Sequence, residues 1–421
     1  SFSDCMPVFN EKADSVLIFS GEIFADRQTI NRLKTQDHEF DPSDASTLIH
    51  LYEEEGEDFL KNLNGWFNGV LVDSRRGKAI LFNDRYGMQR IYYHEGNDEF
   101  LFSSEAKALL KIRPALRMIN FKGLGEFFSC GCVLQNRTLF SSVSLLPGGA
   151  AWSLKGGGLI KKESYFKPDR WENQPILGNE AFYNTFKDTF LQILPRYFES
   201  HESIGMSLTG GLDTRMIMAC INQPPDKLPC YTFGGMYRDC FDVSISRKVA
   251  KSCHQPHQVL QLGREFLSDF SKYAEKSVYI SDGLLDACGS YELYLNKLAR
   301  EIAPIRMTGN YGSEVLRSVR AFKAVPPFDR LLEPDFNTYI LEAMETFSEV
   351  SRGHRLSFAV FKQAPWHGYG RLAVEQSQLT MRTPYMDNDL VALVYQAPEE
   401  ATSTNDISRR FIADCNPDLS K

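Results

Sequence analysis

The chain has 421 residues, enough for two or three domains with ample hydrophobic cores. A net charge of −7, without a dense stripe of lysine and arginine, argues against nucleic acid as a partner, and no apolar run is long enough to cross a membrane. The nine cysteines contain no CxxC pair, so we expect reduced, mostly buried thiols in a cytoplasmic protein.

The N-terminal part, to about residue 160, has short β-rich runs divided by turn signals. The predicted strands are 16–19, 69–73, 78–82 and 90–94. Between the first two, residues 45–63 carry apolar side chains at roughly helical spacing, which predicts one amphipathic helix.

The rest of the chain follows a polar connector near residues 168–175 and alternates helical and strand patterns. The predicted helices are 179–199, 213–221 and 242–253, and the predicted strands are 204–208, 229–233 and 257–261. This alternation favours a parallel α/β sheet, with a ligand loop at the carboxyl end of its first strand.

That loop reads Ser-Leu-Thr-Gly-Gly-Leu-Asp-Thr over residues 207–214, between an apolar strand and a helix. Two glycines, a helix start and hydroxyl groups predict a cradle for phosphate. Asp213 is expected to hold a cation such as Mg²⁺, because an acid beside phosphates otherwise repels them. The alternative is a glycine-rich turn without a ligand. The residues assigned to the cradle are Ser207, Thr209, Gly210, Gly211, Asp213 and Thr214.

The loop lacks the lysine of the Walker pattern. It resembles the Ser-Gly-Gly-x-Asp-Ser loop of the ATP pyrophosphatase group, with both serines replaced by threonine. The resemblance implies that ATP is bound and split between its α- and β-phosphates.

Several weak motifs follow one another in the order found in a known family. The N-terminal runs are Ser20–Phe24, Leu63–Phe67, Asn83–Gly87 and Ser103–Leu110, and the later runs are Leu145–Gly149 and Arg382–Asp387. Together they resemble the asparagine synthetase family over nearly the whole chain. The resemblance implies an α+β glutaminase-like domain at 1–165, an antiparallel β-sandwich flanked by helices as in N-terminal-nucleophile hydrolases. It also implies an α/β parallel-sheet ATP pyrophosphatase domain at 176–421.

The N-terminal domain departs from the family at the positions that carry its chemistry. The family's nucleophile is an N-terminal cysteine, and Cys5 does not match that position. Ser20 replaces the oxyanion-side asparagine, and Ser46 replaces an acid that follows Asp44. We therefore expect this domain to be degenerate or N-terminally incomplete, with loss of activity favoured. The Asp84–Gly87 run is then structural, and an Arg–Asp pair is expected to tie its turn.

The synthetase half keeps more of the family pattern. Phe233 and Gly234 end a predicted strand where the family binds adenine and ribose, and Asp242 matches a family acid but equally fits a helix N-cap. Gly309 belongs to the next informative run and is assigned to the nucleotide site.

That run, Met307–Glu314, allows two alignments. A gapless alignment on asparagine synthetases places Asn310 and Ser313 at the family's two acids. An alignment on Tyr-Gly-Ser-acid instead resembles β-lactam synthetases, with Tyr311 catalytic and Glu314 on the metal. We prefer the second, because it keeps two acids for a cation. A packed aromatic is the alternative for Tyr311.

Two further site assignments rest on weaker sequence signals. Glu375 is a candidate acid–base partner of Tyr311, against the alternative of a helix-surface glutamate. The family's catalytic lysine lies beyond the Arg382–Asp387 motif, where this chain has only Lys421, so no residue is assigned.

The resemblance implies an ATP-dependent amide synthetase that forms AMP and pyrophosphate, with ATP and Mg²⁺ as cofactors. A small-molecule carboxylate is activated as an acyl-adenylate, and ammonia or an amine attacks it. One alternative is a β-lactam-synthetase-like ligase or cyclase for a specialised metabolite or peptide, with an inactive glutaminase domain. Another is a non-catalytic scaffold. A homodimer is the assembly considered.

Overall fold

A computed structural model describes residues 6–25, 27–35, 45–327 and 331–420. Cys5, Asp44 and Lys421, which the sequence singles out, lie outside the described residues.

The chain forms two compact units that alternate along the sequence. The first contains Ser1–Arg170 and Ala321–His367, and the second contains Trp171–Arg320 and Gly368–Lys421. The predicted boundaries at 165 and 176 stay predictions about the functional domains. The structure adds that residues 321–367 group with the N-terminal unit.

The first unit contains two antiparallel sheets. Their strands are β1 (Val8–Phe9), β2 (Ser15–Ile23), β3 (Gly65–Asp73), β4 (Lys78–Asn83), β5 (Tyr92–Glu95), β6 (Phe100–Ser103), β7 (Ser144–Leu145), β8 (Ala150–Lys155) and β9 (Gly158–Ser164). Six strands pair in the order β1-β2-β3-β4-β8-β9, and three pair in the order β6-β5-β7. The four predicted strands are confirmed, although the last begins at Tyr92 rather than at residue 90.

Helices accompany these sheets. They are Arg27–Thr35, Ser46–Glu55, Ala106–Ile112, Phe121–Cys130, Pro334–Val350, Arg355–Phe358 and Ala364–Trp366, with a π-helical turn at Ala359–Gln363 and 3₁₀ turns at Gly56–Asn62 and Pro114–Leu116. The single helix predicted over 45–63 is therefore divided in two. Gly56 adopts a φ of +61°, which a regular α-helix cannot accommodate, and the chain continues as a 3₁₀ turn.

Apolar side chains cover both faces of the six-stranded sheet. On one face, a buried cluster joins Leu17 and Phe67 to Leu48 of the helix Ser46–Glu55. On the other, a cluster joins Trp152 of β8 to Tyr93 of β5, whose ring centroids lie 4.9 Å apart. The antiparallel part of the predicted fold is confirmed, and its sandwich arrangement remains a prediction.

The Asp84–Gly87 turn is built differently from the expectation. Asp84 is fully buried, and its carboxylate accepts hydrogen bonds from the backbone N–H groups of Tyr86, Met88 and Gln89 at 2.8 to 3.1 Å. The Arg85 guanidinium instead lies over the ring of Phe166, at 4.4 Å from its centroid. Backbone amides therefore hold this turn, and the predicted Arg–Asp pair was the wrong explanation.

Residues 321–367 complete the first unit by packing on the helix Phe121–Cys130. Ser129 Oγ donates to the carbonyl of Val325 at 2.8 Å, and the rings of Phe121 and Tyr339 stack at 5.8 Å. Gly125 allows this approach, because a Cβ there would lie 2.6 Å from Tyr339 Cβ. The helix Phe121–Cys130 thus depends on chain that follows it by about two hundred residues.

The second unit contains a five-stranded sheet. Its strands are β10 (Ile204–Ser207), β11 (Cys230–Gly234), β12 (His257–Gln261), β13 (Ile305–Met307) and β14 (Thr380–Arg382). Its α-helices are Asn179–Phe198, Leu212–Cys220, Phe241–Ser252, Arg264–Ser268, Phe270–Ile280, Tyr291–Ile302, Gly312–Arg317, Tyr369–Gln376, Asn388–Val394, Glu399–Ser403 and Asp406–Cys415. Its 3₁₀ turns are Ala287–Ser290, Pro384–Met386 and Pro417–Leu419, and a short helix, Asp169–Glu172, spans the passage from the first unit. All six elements predicted between 179 and 261 are confirmed.

The strand order of this sheet fixes where a ligand can bind. The order is β12-β11-β10-β13-β14 and every pairing is parallel. The chain therefore adds β11 and β12 on one side of β10, and then β13 and β14 on the other. A parallel sheet of this kind binds ligands where the direction of winding reverses, outside the carboxyl ends of the two strands concerned. Here these strands are β10 and β13.

The structure also bears on two expectations from the sequence, the burial of the cysteines and the lack of a membrane-spanning run. Of the eight cysteines described, all are free, but only Cys130, Cys132 and Cys230 are buried, so the expectation of mostly buried thiols was wrong. Among the described residues, no helix combines the length and apolarity that a membrane crossing requires.

Candidate functional site

The predicted phosphate loop leaves the carboxyl end of β10. Ser207 and Thr214 are buried at its two ends, whereas Thr209 and Gly211 are exposed between them. Gly211 precedes the helix Leu212–Cys220 in extended conformation, with φ −73° and ψ 162°. An open loop on a buried stem is therefore followed by a helix start, which is the local structure that phosphate groups bind.

The polar groups of this loop bond one another and one neighbour. The Gly211 N–H donates to Thr209 Oγ1 at 3.2 Å, and the Thr209 and Thr214 hydroxyls lie 3.4 Å apart. The Gly210 N–H donates to Asp242 Oδ1 at 2.8 Å. The two exposed positions, Thr209 and Gly211, are thus the parts of the loop that a ligand can reach first.

Asp242 is neither the N-cap nor a free acid. It lies in the first turn of the helix Phe241–Ser252, and Cys240 occupies the N-cap position. Its carboxylate instead fixes the Gly210 amide. The N-cap interpretation was wrong because the helix begins one residue earlier than the prediction.

A second loop leaves β13 and packs against the first. A Cβ on Gly309 would lie 2.7 Å from the backbone nitrogen of Thr214, and a Cβ on Gly312 would lie 2.5 Å from Asp213 Cγ. Only glycine allows these approaches. The two loops at the switch point therefore form one continuous surface, built from two segments about a hundred residues apart.

Asp213 lies where the two loops meet. Its carboxylate accepts a hydrogen bond from Ser313 Oγ at 3.0 Å and pairs with Arg317 Nη2 at 3.2 Å. Its backbone carbonyl accepts from the Tyr385 hydroxyl at 2.7 Å. The carboxylate is partly exposed, with 16% of the side chain accessible, so it is anchored by exchangeable side-chain partners at the edge of the loop.

Glu314 follows Ser313 in the helix Gly312–Arg317, which packs against Asp213. Burial raises the pKa of Glu314, the charge of Asp213 raises it further, and the guanidinium of Arg317 lowers it. The two carboxylates therefore lie within electrostatic range of each other. Carboxylate oxygens are the ligands that Mg²⁺ prefers, so this donor set fits the cation that the sequence predicts.

Tyr311 opens the helix Gly312–Arg317 with a φ of +68°, which is uncommon for a residue other than glycine. Burial raises the pKa of its phenol well above the usual range, and the charges of Glu375 and Glu314 act in the same direction. The phenol is therefore a neutral hydrogen-bond donor in this environment.

Glu375 is buried, with 2% of its surface accessible, so the helix-surface interpretation was wrong. It pairs with Arg306 at 3.2 Å, and Arg306 also donates to Asn296 at 2.9 Å. The helix Tyr369–Gln376 turns this glutamate toward β13 rather than toward solvent. Burial raises the pKa of Glu375, and the guanidinium of Arg306 lowers it.

Phe233 and Gly234 lie at the carboxyl end of β11. The Phe233 ring stacks on Tyr231, with centroids 6.0 Å apart, and the Arg306 guanidinium lies 5.0 Å from its centroid. A Cβ on Gly234 would lie 2.6 Å from Val259. The strand end is therefore packed on one side, and its backbone lies beside the loop after β10, the strand next to it.

Sequence reasoning missed the residues that join the loops. Arg317 and the Asp242 contact to Gly210 were not predicted, and Arg306 was not considered. One signal was present: Ser313 and Arg317 are four residues apart, so on a helix they share a face. Their common partner, Asp213, is separated from Ser313 by a hundred positions and could not be inferred from spacing.

Comparison with known sequences defines the class first. Residues 3–166 match the sequence family described as a glutamine amidotransferase domain. The N-terminal part of the chain is thus similar to a glutamine amidotransferase domain, and the second unit carries a parallel sheet with a glycine-rich loop at its switch point.

The curated relatives define the family more closely. The chain is 26% identical over 382 residues to asparagine synthetase [glutamine-hydrolyzing] 2 of Bacillus subtilis, covering 85% of this chain and 49% of the relative. It is 30% identical over 290 residues to an asparagine synthetase [glutamine-hydrolyzing] of Zea mays, covering 64% and 43%. A putative asparagine synthetase 2 of Methanocaldococcus jannaschii is 21% identical, with 72% and 59% covered. The chain is similar to the asparagine synthetases over most of its length, as the sequence motifs predict, and it spans about half the length of these relatives.

Solved structures give weaker likenesses. An allosteric regulatory enzyme of purine biosynthesis has a TM-score of 0.29 at 12% identity, covering 62% of this chain and 48% of that chain. The NH3-dependent NAD synthetase of Campylobacter jejuni has a TM-score of 0.24 at 11% identity, covering 55% and 96%.

Proposed function

We propose that this protein is an ATP-dependent carbon–nitrogen ligase of the asparagine synthetase type, which activates a small-molecule carboxylate with release of AMP and pyrophosphate. The observation that supports this most directly is the contact between the loops after β10 and β13, which brings Asp213 against the helix that carries Glu314. The names of the relatives support the amide-forming reaction.

The residues present fit both predicted cofactors. A glycine-lined loop with exposed Thr209 and Gly211 suits the phosphates of ATP, and two carboxylates suit a divalent cation. Magnesium held by Asp213 and Glu314 would neutralise the negative charge of the phosphates.

Groups of the protein itself supply the other contributions to catalysis. The Thr209 hydroxyl and the Gly211 amide donate to phosphate oxygens, and the start of the helix Leu212–Cys220 adds partial positive charge. Asp242 holds the Gly210 amide, so it shapes the loop without contacting phosphate. Catalysis of this kind consists mainly of positioning and charge stabilisation, which rigid loops supply.

A second candidate is a β-lactam-synthetase-like ligase or cyclase, in which the attacking amine comes from a specialised metabolite or peptide. The position of Tyr311 directly before Gly312, within the influence of Glu375 and Glu314, favours it. A phenol that passes its proton to a carboxylate while it takes one from the attacking amine would suit this candidate.

We further propose that the N-terminal domain lacks glutaminase activity. Ser20, at the oxyanion-side position of the family, is exposed on β2 and offers a weaker donor than an amide side chain. The nitrogen donor would then be free ammonia or an amine.

The full chain is incubated with ATP, Mg²⁺ and aspartate, together with glutamine or with ammonia, and the nucleotides are separated. Aspartate-dependent AMP and pyrophosphate are expected for the first candidate. AMP with ammonia but not with glutamine is expected if the glutaminase is inactive. If other carboxylates bearing an internal amine produce AMP while aspartate does not, the second candidate replaces the first.

Asp213→Ala is expected to lower AMP formation at least ~100-fold, the usual cost of losing a charge-stabilising group. Asp188→Ala, on the exposed side of the helix Asn179–Phe198, is the matched control and should match the unmodified protein. Undiminished AMP from Asp213→Ala would show that the site is wrongly assigned. No ATP binding and no AMP across many acceptors would leave the non-catalytic scaffold.

A further inference from the structure

Arg317 occupies the position from which a cation would neutralise Asp213. Its Nη2 lies 3.2 and 3.4 Å from the two carboxylate oxygens of Asp213 and 2.6 Å from Ser313 Oγ. Only 16% of the arginine side chain is exposed, and Nη1 reaches Ser408 Oγ at 3.5 Å. The guanidinium is thus part of the loop region itself rather than a surface group that happens to lie nearby.

The backbone determines this placement. Tyr311, with its positive φ, turns the chain from the loop after β13 into the helix Gly312–Arg317. Gly312 brings that helix against Asp213, and Ser313 and Arg317 then lie on the same helix face. Ser318, with a φ of +49°, ends the helix directly after the arginine. The position of the guanidinium therefore follows from the same two loops that form the site.

A guanidinium and a divalent cation cannot both occupy this place. Two like charges held this close repel each other in a partly buried site, and the second charge of a divalent ion doubles that repulsion. An arginine side chain has several rotatable bonds and can leave Asp213 without movement of the helix. The anion nearest to its new position would be phosphate on the loop that contains Thr209 and Gly211.

We propose that Arg317 exchanges partners during the reaction: it neutralises Asp213 in the free protein and binds the pyrophosphate part of ATP once a divalent cation takes its place. This inference rests on the proposed function, and it adds a catalytic residue to it. Arginine suits the second partner because its planar fork donates two hydrogen bonds to phosphate oxygens.

The step served by Arg317 is the formation of the acyl-adenylate. A carboxylate oxygen of the substrate forms a bond to the α-phosphorus, and the bond from that phosphorus to the oxygen bridging to the β-phosphate breaks. The electron pair stays on the bridging oxygen, which leaves with pyrophosphate, and no proton is transferred. Arg317 stabilises the negative charge that develops on this leaving group.

The test measures two affinities of the full chain by calorimetry: that for Mn²⁺ alone, and that for inorganic pyrophosphate in the presence of Mg²⁺. Arg317→Met is expected to bind Mn²⁺ about tenfold more tightly, because the competing cation is gone. It is expected to bind pyrophosphate about tenfold more weakly, because the phosphate partner is gone. Arg409→Met removes an exposed arginine of the same unit and should change neither affinity.

Opposite changes in the two affinities distinguish partner exchange from a structural role. Unchanged pyrophosphate affinity in Arg317→Met overturns the proposal. Weaker or unchanged Mn²⁺ binding also overturns it, because Arg317 would then only support Asp213. If Arg317→Met does not fold, Arg317→Lys keeps the charge without the fork and is expected to bind pyrophosphate about threefold more weakly, and equal binding is contrary evidence.

The failure of the proposed function is a separate result. If the unmodified protein and Arg409→Met bind neither Mg²⁺·ATP nor pyrophosphate, both the proposed function and the role of Arg317 are rejected. If both bind these ligands and Arg317→Met binds them equally well, only the role of Arg317 is rejected.

Discussion

Each of the two units places an aspartate shortly after a strand, Asp84 in a turn and Asp213 at the start of the helix Leu212–Cys220, and the two carboxylates are held in opposite ways. Asp84 of the first unit is fully buried and accepts three backbone hydrogen bonds from its own turn. Asp213 of the second unit is partly exposed and is held by the side chains of Ser313 and Arg317, from a different segment of the chain.

The difference separates a structural acid from an acid that can take a ligand. Backbone amides of the same turn cannot leave Asp84 without local unfolding, so its carboxyl group serves the fold. The serine and arginine beside Asp213 can rotate away, so its charge is available to another partner. Sequence spacing alone does not reveal this, since both acids follow β-rich runs and lie near glycine.

Asp84→Ala is expected to have the largest effect of the substitutions that test this comparison. Three backbone N–H groups, two of them buried, lose their acceptor, and we expect the first unit to lose about 3 kcal/mol of its free energy of unfolding. Hydrogen exchange of peptides spanning residues 84–89 measures this loss within the first unit. Asp98→Ala, an exposed acid of the same unit, should cost close to nothing. Unchanged protection in Asp84→Ala would contradict the structural role.

The second-largest expected effect is the pH dependence of the stability of the first unit. Burial raises the pKa of Asp84 from 3.8 to about 6, against the lowering effect of its backbone hydrogen bonds. The folded state therefore holds this proton more tightly than the unfolded state. The stability that Asp84 contributes is fully present below pH 3.8 and is lost as the pH rises through about 6.

Asp84→Asn removes this titration. Between about pH 4 and 7, the free energy of unfolding of this variant should therefore fall by ~2 kcal/mol less than that of the unmodified protein. Exchange protection of residues 84–89, followed across this range, is the measurement. An asparagine variant that kept the full slope would mean that another group titrates there.

The smallest effect is expected from Gly312→Ala in the second unit. Its Cβ would lie 2.5 Å from Asp213 Cγ, so the carboxylate must shift, and we expect Mn²⁺ affinity to fall about tenfold, or ~1.4 kcal/mol. Calorimetric titration of the full chain with Mn²⁺ checks this. Gly178→Ala is the matched control, since nothing lies within 4 Å of a Cβ there. An unaffected affinity would mean that Asp213 is not a ligand.

The sequence predicted the elements between residues 179 and 261 of the second unit well, because these helices and strands have strong periodicity and short connections. The strands from 204 to 261 and the loop at residue 207 were located to within one or two residues. The helix over 45–63 was predicted as one piece because the apolar spacing continues through Gly56, and periodicity does not register the backbone angle of one glycine.

The site was predicted only in its local parts. Residues 207–214 are contiguous and carry their own signal, whereas Arg317 contacts Asp213 only because β13 lies beside β10. Glu375 was thought to be exposed because an acid on a helix usually is, and its partner Arg306 lies 69 residues away. Contacts that depend on strand order cannot be predicted from the spacing of residues along the sequence. The ion pairs of Asp213 with Arg317 and of Glu375 with Arg306 are contacts of this kind.

The division of the first unit into two stretches of sequence has a consequence for synthesis. The helix Phe121–Cys130 leaves the ribosome about two hundred residues before the helix Pro334–Val350 that covers it. At 5–20 residues per second, its apolar face waits roughly 10 to 40 s for that partner. During this interval strands β10 to β13 of the second unit are synthesised, while the apolar face of the earlier helix stays uncovered and accessible to holding chaperones.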